Sequence, residues 1–361
     1  MRPGGGGIAR VDWPVLRRVL LALALGLAGG LLFEWLRAPL PWMLGPMVFN
    51  TLAAVLRLPV RGPVLLRPYV VVVIGVMLGA GFTPELFSQV GAWAVSLAFL
   101  AVYLVVSGLI VVPYYRHVAG FDKVTAYFSG MPGGLNEMVV LGRDAGGDDG
   151  RIALAHAARI VIVVSLVAVW FRLIAGYDLG DRSQFGKSFA VIPWLDLGVL
   201  AGCGVLGFFL GRLLRLPAPT LIGPMILSAI AHLTGLSQNP PPSEIVTVAQ
   251  LFLGTIIGCR FVGAGAGAIG RALLVSLGGT LIMLTITVLF AVVLHGAFGQ
   301  PTEQVLLAYS PGGLAEMSLV ALAMDAEVAY VAIHHVIRIT LVVLFAPVVF
   351  RMMRNRSDDA E

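Results

Sequence analysis

Two glutamates, two histidines and two arginines recur in this chain at a single spacing. Glu137 stands in Pro132-Gly133-Gly134-Leu135-Asn136-Glu137-Met138. Glu316 stands in Pro311-Gly312-Gly313-Leu314-Ala315-Glu316-Met317, 179 positions later. The same offset carries His156 and Arg159 onto His335 and Arg338. In each half the histidine and arginine are three apart, which puts them on one face of a helix. Each arginine lies inside an apolar segment. A carboxylate or guanidinium at membrane depth is costly and by default marks a pathway or a coupling site. An arginine there needs a partner, and the glutamate of a broken segment is the expected one. Two bland readings compete: an arginine reaching for headgroups, and a segment-end glutamate touching headgroup water.

The Pro-Gly-Gly triplets say how such residues are positioned. Proline removes a backbone donor and paired glycines weaken a helix, so neither triplet suits a continuous membrane helix. Freed backbone groups at that depth are tolerated only where protein covers them or water fills a cavity. Proline also suits a first helical turn, so Leu135–Leu141 and Leu314–Met324 are expected to begin new half-helices. Their positive ends would then face the protein core. The competing reading is a pair of simple kinks. The candidate substrate or ion site therefore comprises Pro132, Gly133, Gly134, Asn136, Glu137, His156, Arg159, Pro311, Gly312, Gly313, Glu316, His335 and Arg338. Ala315 replaces Asn136 in the second copy, and Tyr127, Ser129, Tyr309 and Ser310 add hydroxyls near the breaks. Such asymmetry suits a site for one substrate.

The elements around these motifs repeat as well. Gly75 and Gly79 match Gly254 and Gly258 at 179. Leu44-Gly45-Pro46-Met47 matches Ile222-Gly223-Pro224-Met225 at 178, and Gly26 and Gly29 match Gly204 and Gly207. Close helix packing through glycine explains the Gly-Pro elements at least as well as a binding role does. Apolar segments fall at about 15–36, 41–57, 64–82, 90–113 and 152–174, and again at about 194–214, 219–236, 245–262, 271–295 and 328–350. The broken segments are 124–142 and 303–323. The expected organisation is a tail over 1–14, a first membrane repeat over 15–175, a polar linker over 176–193, a second repeat over 194–350 and a charged tail over 351–361.

Composition agrees with a membrane class. The 361 residues are 58% hydrophobic and 12% charged, against about 45–50% and about 25% in soluble domains. The net charge of +5 is spread between apolar segments and gives no nucleic-acid footprint. Cys203 and Cys259 both lie in apolar segments without counterparts, which makes neither a disulfide framework nor a metal pair. The N-terminal apolar run lacks a small-residue cleavage site and matches the internal stretch Leu195–Leu214, so it is expected to stay as a span. There is no phosphate loop of an ATP-driven pump, no metal-ligand cluster and no nucleophile–base pair in the pattern. No cofactor, metal or catalytic residue is expected, and no enzyme.

Topology turns on the broken segments. If they dip in and return, each half has five crossings and the halves are inverted; if they span, each half has six and the halves are parallel. With the N-terminus inside, inversion puts 18 Lys and Arg residues in the cytoplasm and 4 outside (Arg37, Arg172, Arg182 and Lys187). The parallel arrangement gives 15 and 7. The positive-inside rule favours inversion, and both arrangements leave both termini cytoplasmic.

The duplicated Gly-Pro-Met elements, the Pro-Gly-Gly-Leu-x-Glu-Met pair and the following His-x-x-Arg together resemble the AbrB family of bacterial inner-membrane proteins, from about Leu20 to Phe350. The resemblance implies a tandem duplication in the inner membrane. The family carries two inherited labels, regulator of gene expression and ammonia monooxygenase. A monooxygenase needs a redox metal, and a DNA-binding regulator needs a soluble basic module; neither shows in these residues. The expected fold is an all-α polytopic membrane protein with two inverted repeats of about five spanning helices plus one broken segment each. The expected function is secondary transport of a small solute, leaning towards an anion such as a carboxylate, coupled to protons or sodium. A membrane sensor that affects gene expression indirectly is the alternative. The expected partners are the lipid bilayer, the solute and the coupling ion, with a homo-oligomer left open.

Overall fold

The computed structural model describes residues 12–177 and 185–358. The described chain is all-helical, with fourteen α-helices. The first half holds α1 (Trp13–Trp35), α2 (Pro41–Val55), α3 (Arg67–Ala80), α4 (Leu86–Pro113), α5 (Lys123–Gly130), α6 (Leu135–Asp144) and α7 (Asp149–Leu173). The second holds α8 (Trp194–Leu213), α9 (Pro219–Leu233), α10 (Ser243–Gly258), α11 (Ala266–Phe298), α12 (Thr302–Tyr309), α13 (Leu314–Ala323) and α14 (Val328–Asp358).

Seven of these helices are long and apolar enough to cross a membrane, where the segment pattern anticipates ten. The shortfall lies in α2, α3 and α9, of 15, 14 and 15 residues. At 1.5 Å per residue they reach only about 22 Å, short of a hydrocarbon core of about 30 Å. Their Gly and Pro residues serve packing, and most of their side chains are buried against neighbouring helices. The long helices behave differently. Leu109 on α4, Phe209 on α8, Leu289 on α11 and Leu344 on α14 are each about 60–70% exposed, among many such side chains. Exposed apolar surface on that scale needs a lipid covering. The chain is a multi-pass membrane protein.

Matched segments form matched contacts. α1 crosses α2 with Gly29 against Gly45, and α8 crosses α9 with Gly207 against Gly223. α3 packs on α9, while α10 packs on α2. A Cβ on Gly75 would fall on the backbone oxygen of Leu221, and one on Gly254 on that of Met43. The helices that begin at Pro41 and Pro219 follow residues in the left-handed conformation, Leu40 at φ 44° and Ala218 at φ 45°. The underlying motif, Leu-Arg-x-Pro-x-Pro at 36–41 and 214–219, recurs at 178.

Direction along the chain is also fixed. Tyr103 on α4 meets Thr287 on α11 at 3.3 Å, and Tyr114, just past α4, donates to Val275 O at 3.0 Å. As numbers rise on one helix they fall on the other, so α4 and α11 are antiparallel. α3 and α10 pack together with Arg67, at the start of one, and Arg260, just past the end of the other, lining one cavity. They too are antiparallel.

Three parts of the expected organisation differ or fall partly outside the description. Residues 1–11 of the tail and 178–184 of the linker lie outside the described residues. The described part of the linker docks on α10, with Ser188 and the Phe189 N–H donating to Glu244 at 2.6 and 3.0 Å. α14 runs on through Asp358, into the segment read as a C-terminal tail.

Candidate functional site

Both Pro-Gly-Gly triplets break the helix. α5 ends at Gly130 and α6 begins at Leu135; α12 ends at Tyr309 and α13 begins at Leu314. The connecting residues are extended, including Met131, Gly134, Ser310 and Gly313. Neither Gly134 nor Gly313 has a side chain to cap its half-helix, so the first N–H groups of α6 and α13 lack the usual donor-satisfying cap.

The glycines are there for space. A Cβ on Gly133 would lie 2.8–2.9 Å from the Met138 side chain, and one on Gly312 2.7–3.0 Å from that of Met317. A Cβ on Gly134 would overlap the carboxylate of Glu137, and one on Gly313 that of Glu316. Each glutamate therefore folds back over the glycine that opens its own half-helix, where the helix dipole favours an anion. The motif reads as one packed unit: two bare backbone positions, the first covered by the methionine five residues later and the second by the glutamate three residues later.

The arginines are engaged elsewhere than expected. Arg159 donates through Nη1 to Met131 O at 3.1 Å and through Nη2 to Gly133 O at 3.4 Å. Arg338 donates through Nη1 to Ser310 O at 2.5 Å and through Nη2 to Gly312 O at 2.8 Å. The acceptors are 179 positions apart, like the donors. Among the described residues no ion pair joins either arginine to Glu137 or Glu316, whereas Arg143 pairs with Asp144 and Arg151 with Asp148 at the surface. This corrects the expected Arg–Glu pairing. A break leaves carbonyls without helical donors, and a planar guanidinium fork fits two of them at once.

The histidines diverge. His156 donates from Nε2 to Phe128 O at 2.8 Å, which leaves Nδ1 to accept from Arg159 Nη2 at 2.7 Å. It braces the arginine. His335 donates instead from Nδ1 to Val331 O of its own helix, and its Nε2 is buried without a partner. His334 bonds Ser96 and Tyr330 O, away from any metal-like pairing with His335.

One cavity of about 430 Å³ brings the two breaks together. Gly133, Gly134, Asn136, Glu137, His156 and Arg159 line it from the first half. Pro311, Gly312, Gly313, Glu316 and Arg338 line it from the second. Of the sequence-derived candidates only Pro132, which is buried, and His335 fall outside the lining. The two halves are unequal: Glu137 and Asn136 are exposed, while Glu316 is 7% exposed. Two further lining residues, Arg67 and Arg260, have no repeat partner and read in the sequence as basic loop residues. Their only sequence signal is position, each at the membrane-side end of a glycine-containing apolar segment.

Comparison with known proteins agrees with the motif resemblance. The family described as "Transition state regulatory protein AbrB" matches residues 42–354. The chain belongs to the AbrB family. A relative in Bacillus subtilis (strain 168), "Uncharacterized protein YhjN", is 23% identical across 94% of each chain. A relative in Escherichia coli (strain K12), "Putative regulator AbrB", is 26% identical across 95% of this chain and 97% of its own. The AbrB match takes in both breaks, both forked arginines and the shared cavity.

Proposed function

We propose that this AbrB-family protein is a secondary transporter of a small solute, coupled to protons or sodium, in the bacterial inner membrane. The observation that carries the reading is the meeting of two broken helices, one from each half, at a single polar cavity inside an apolar bundle. Irregular backbone at membrane depth is kept where it lines such a cavity, and half-helix ends there hold solute or ion groups. The antiparallel courses of α4 against α11 and of α3 against α10 support two inverted repeats, each contributing one break. Inverted repeats rocking about a fixed site provide alternating access. With the basic residues gathered on one side, both termini lie in the cytoplasm.

The reading assigns no enzymatic step and no nucleic-acid contact. The regulator name of the Escherichia coli relative favours a second reading, a membrane sensor that acts on expression through what it binds. Flux decides between them. Purified protein in proteoliposomes is expected to accumulate a small solute when a proton or sodium gradient is imposed. Ligand binding with no flux under any gradient would establish the sensor and overturn transport.

A further inference from the structure

The cavity holds more positive charge than the repeat accounts for. Four guanidinium groups line it, those of Arg67, Arg159, Arg260 and Arg338, against the two carboxylates of Glu137 and Glu316. That leaves two formal positive charges in a cavity between the two breaks. Arg159 and Arg338 are 3% and 2% exposed, and the Nε of each is buried without a hydrogen-bond partner. Arg67 and Arg260 are near enough to act on each other's charge, and Glu316 acts on Arg260. Neither Arg67 nor Arg260 makes an ion pair or a hydrogen bond to a described residue, while Arg159 and Arg338 are fixed on the breaks.

Holding two like charges together without an intervening anion is unfavourable, and the more so where low-dielectric walls focus the field. The two half-helix N-termini face the same space with their own glutamates folded over them, so the excess positive charge is that of the arginines. Beside Asn136, His156 and Thr220, the lining includes the apolar side chains of Val71, Ile160, Leu221, Leu253, Ile257 and Ile339. A cavity of about 430 Å³ with such walls is roomier than an inorganic oxyanion needs, and it offers a surface for a carbon skeleton. We propose that the site takes a small organic dianion, a dicarboxylate, with Arg67 and Arg260 binding its carboxylates directly and the forked Arg159 and Arg338 setting the potential. This deepens the transport reading and rests on it for the cavity being a substrate site.

Binding and flux test it separately. Purified protein in detergent is titrated with succinate, inorganic phosphate, sulfate, ammonium and a neutral amide at constant ionic strength, with thermal stability and calorimetry as readouts. Succinate is expected to raise the unfolding temperature and to bind saturably. Arg260→Gln and Arg67→Gln are each expected to weaken it by about tenfold or more, as loss of a charge-assisted contact would. Arg260→Lys, which keeps charge and loses the fork, should fall between. Should Arg260→Gln fail to accumulate, Arg67→Gln carries the same test. Stabilisation by ammonium or the amide in preference to succinate overturns the proposal, as does succinate acting no better than sodium chloride. A response to phosphate and sulfate alone overturns the dicarboxylate assignment. Succinate binding without flux in proteoliposomes sinks transport and leaves the dianion site standing; driven flux of a cation does the reverse.

Discussion

Arg338 donates to the carbonyl of Gly312 at 2.8 Å, within the second Pro-Gly-Gly break, and not to the glutamate four residues further on. With its second bond to Ser310 O it closes off a backbone that no helix can satisfy. Removing the fork leaves two carbonyls in a site from which water is largely excluded. Arg338→Met is therefore expected to lower the unfolding free energy by about 3 kcal/mol, the scale of losing charge-assisted bonds in a buried setting. Arg338→Lys should recover only part, because an ammonium cannot reach both oxygens in one plane. Denaturation of the purified protein in detergent measures this. Wild-type stability in Arg338→Met would show that the forked bonds are not holding the break.

The same geometry predicts how arginine and glutamate changes combine. Arg338 and Glu316 share a cavity without an ion pair, so their coupling in a double-mutant cycle should be weaker than that of a directly bonded pair. The corresponding cycle of Arg159 with His156, which do bond at 2.7 Å, should show the larger coupling. A strong Arg338–Glu316 coupling with none between Arg159 and His156 would restore the pairing that the sequence suggests.

Much of the candidate site was legible from the sequence, because its motifs recur at matched positions. Pro-Gly-Gly at matched positions is a backbone statement, and backbone breaks survive into the fold almost residue for residue: α6 and α13 begin one residue after the last glycine. What a break needs was harder to see. Glu137 and Arg159 advertise opposite charges, whereas the carbonyls of Met131 and Gly133 are present in every chain and carry no sequence signal. Arg67 and Arg260 were hidden for a different reason. A basic residue at the end of an apolar segment looks like a loop anchor, and only the antiparallel packing of α3 and α10 carries both into one cavity. The short α2, α3 and α9 were overextended because apolar composition does not distinguish lipid from protein as the covering.

Glycine at 313 leaves room for the Glu316 carboxylate, which predicts a specific rescue. Gly313→Ala should displace that carboxylate from the start of α13, at a cost of about 1 kcal/mol, within the range for overpacking. In a Glu316→Ala background the added methyl meets no carboxylate, so the second change should cost less than it does alone. Equal cost in both backgrounds, read by thermal unfolding, would place the clash with backbone instead. Gly75→Ala and Gly254→Ala supply the contrast. Their neighbours are the backbone oxygens of Leu221 and Met43, which cannot swing away, and each should cost about 1–3 kcal/mol with no side-chain rescue.

Arg37 and Arg215 occupy the same place in the repeated Leu-Arg-x-Pro-x-Pro and are both exposed. Inverted halves put them on opposite sides of the membrane; parallel halves put them on the same side. With the buried Cys203 and Cys259 replaced by alanine, single cysteines at positions 37 and 215 should label from the outer face and the cytoplasmic face respectively with an impermeant reagent. Labelling of both from one face contradicts inversion.

Under the proposed transport reading, Glu316 is the carboxylate best placed to couple solute movement to an ion. It is 7% exposed, lies over the N-terminus of α13, and faces Arg260 across the cavity that Arg338, Arg67, Arg159 and His156 also line. Glu137 has the equivalent backbone position but is exposed, with Asn136 beside it where the second half has Ala315. A charge enclosed among guanidinium groups feels the arrival of a solute more than one held in solvent does. Glu316→Gln is therefore expected to slow gradient-driven uptake by about tenfold or more, with Glu137→Gln the milder change. Both variants should accumulate and fold, because neither carboxylate makes an ion pair with an arginine among the described residues. Gradient-driven uptake into proteoliposomes checks the order of the two effects. Normal transport by both variants would make these carboxylates packing elements of the breaks and move the coupling role to another group in the cavity.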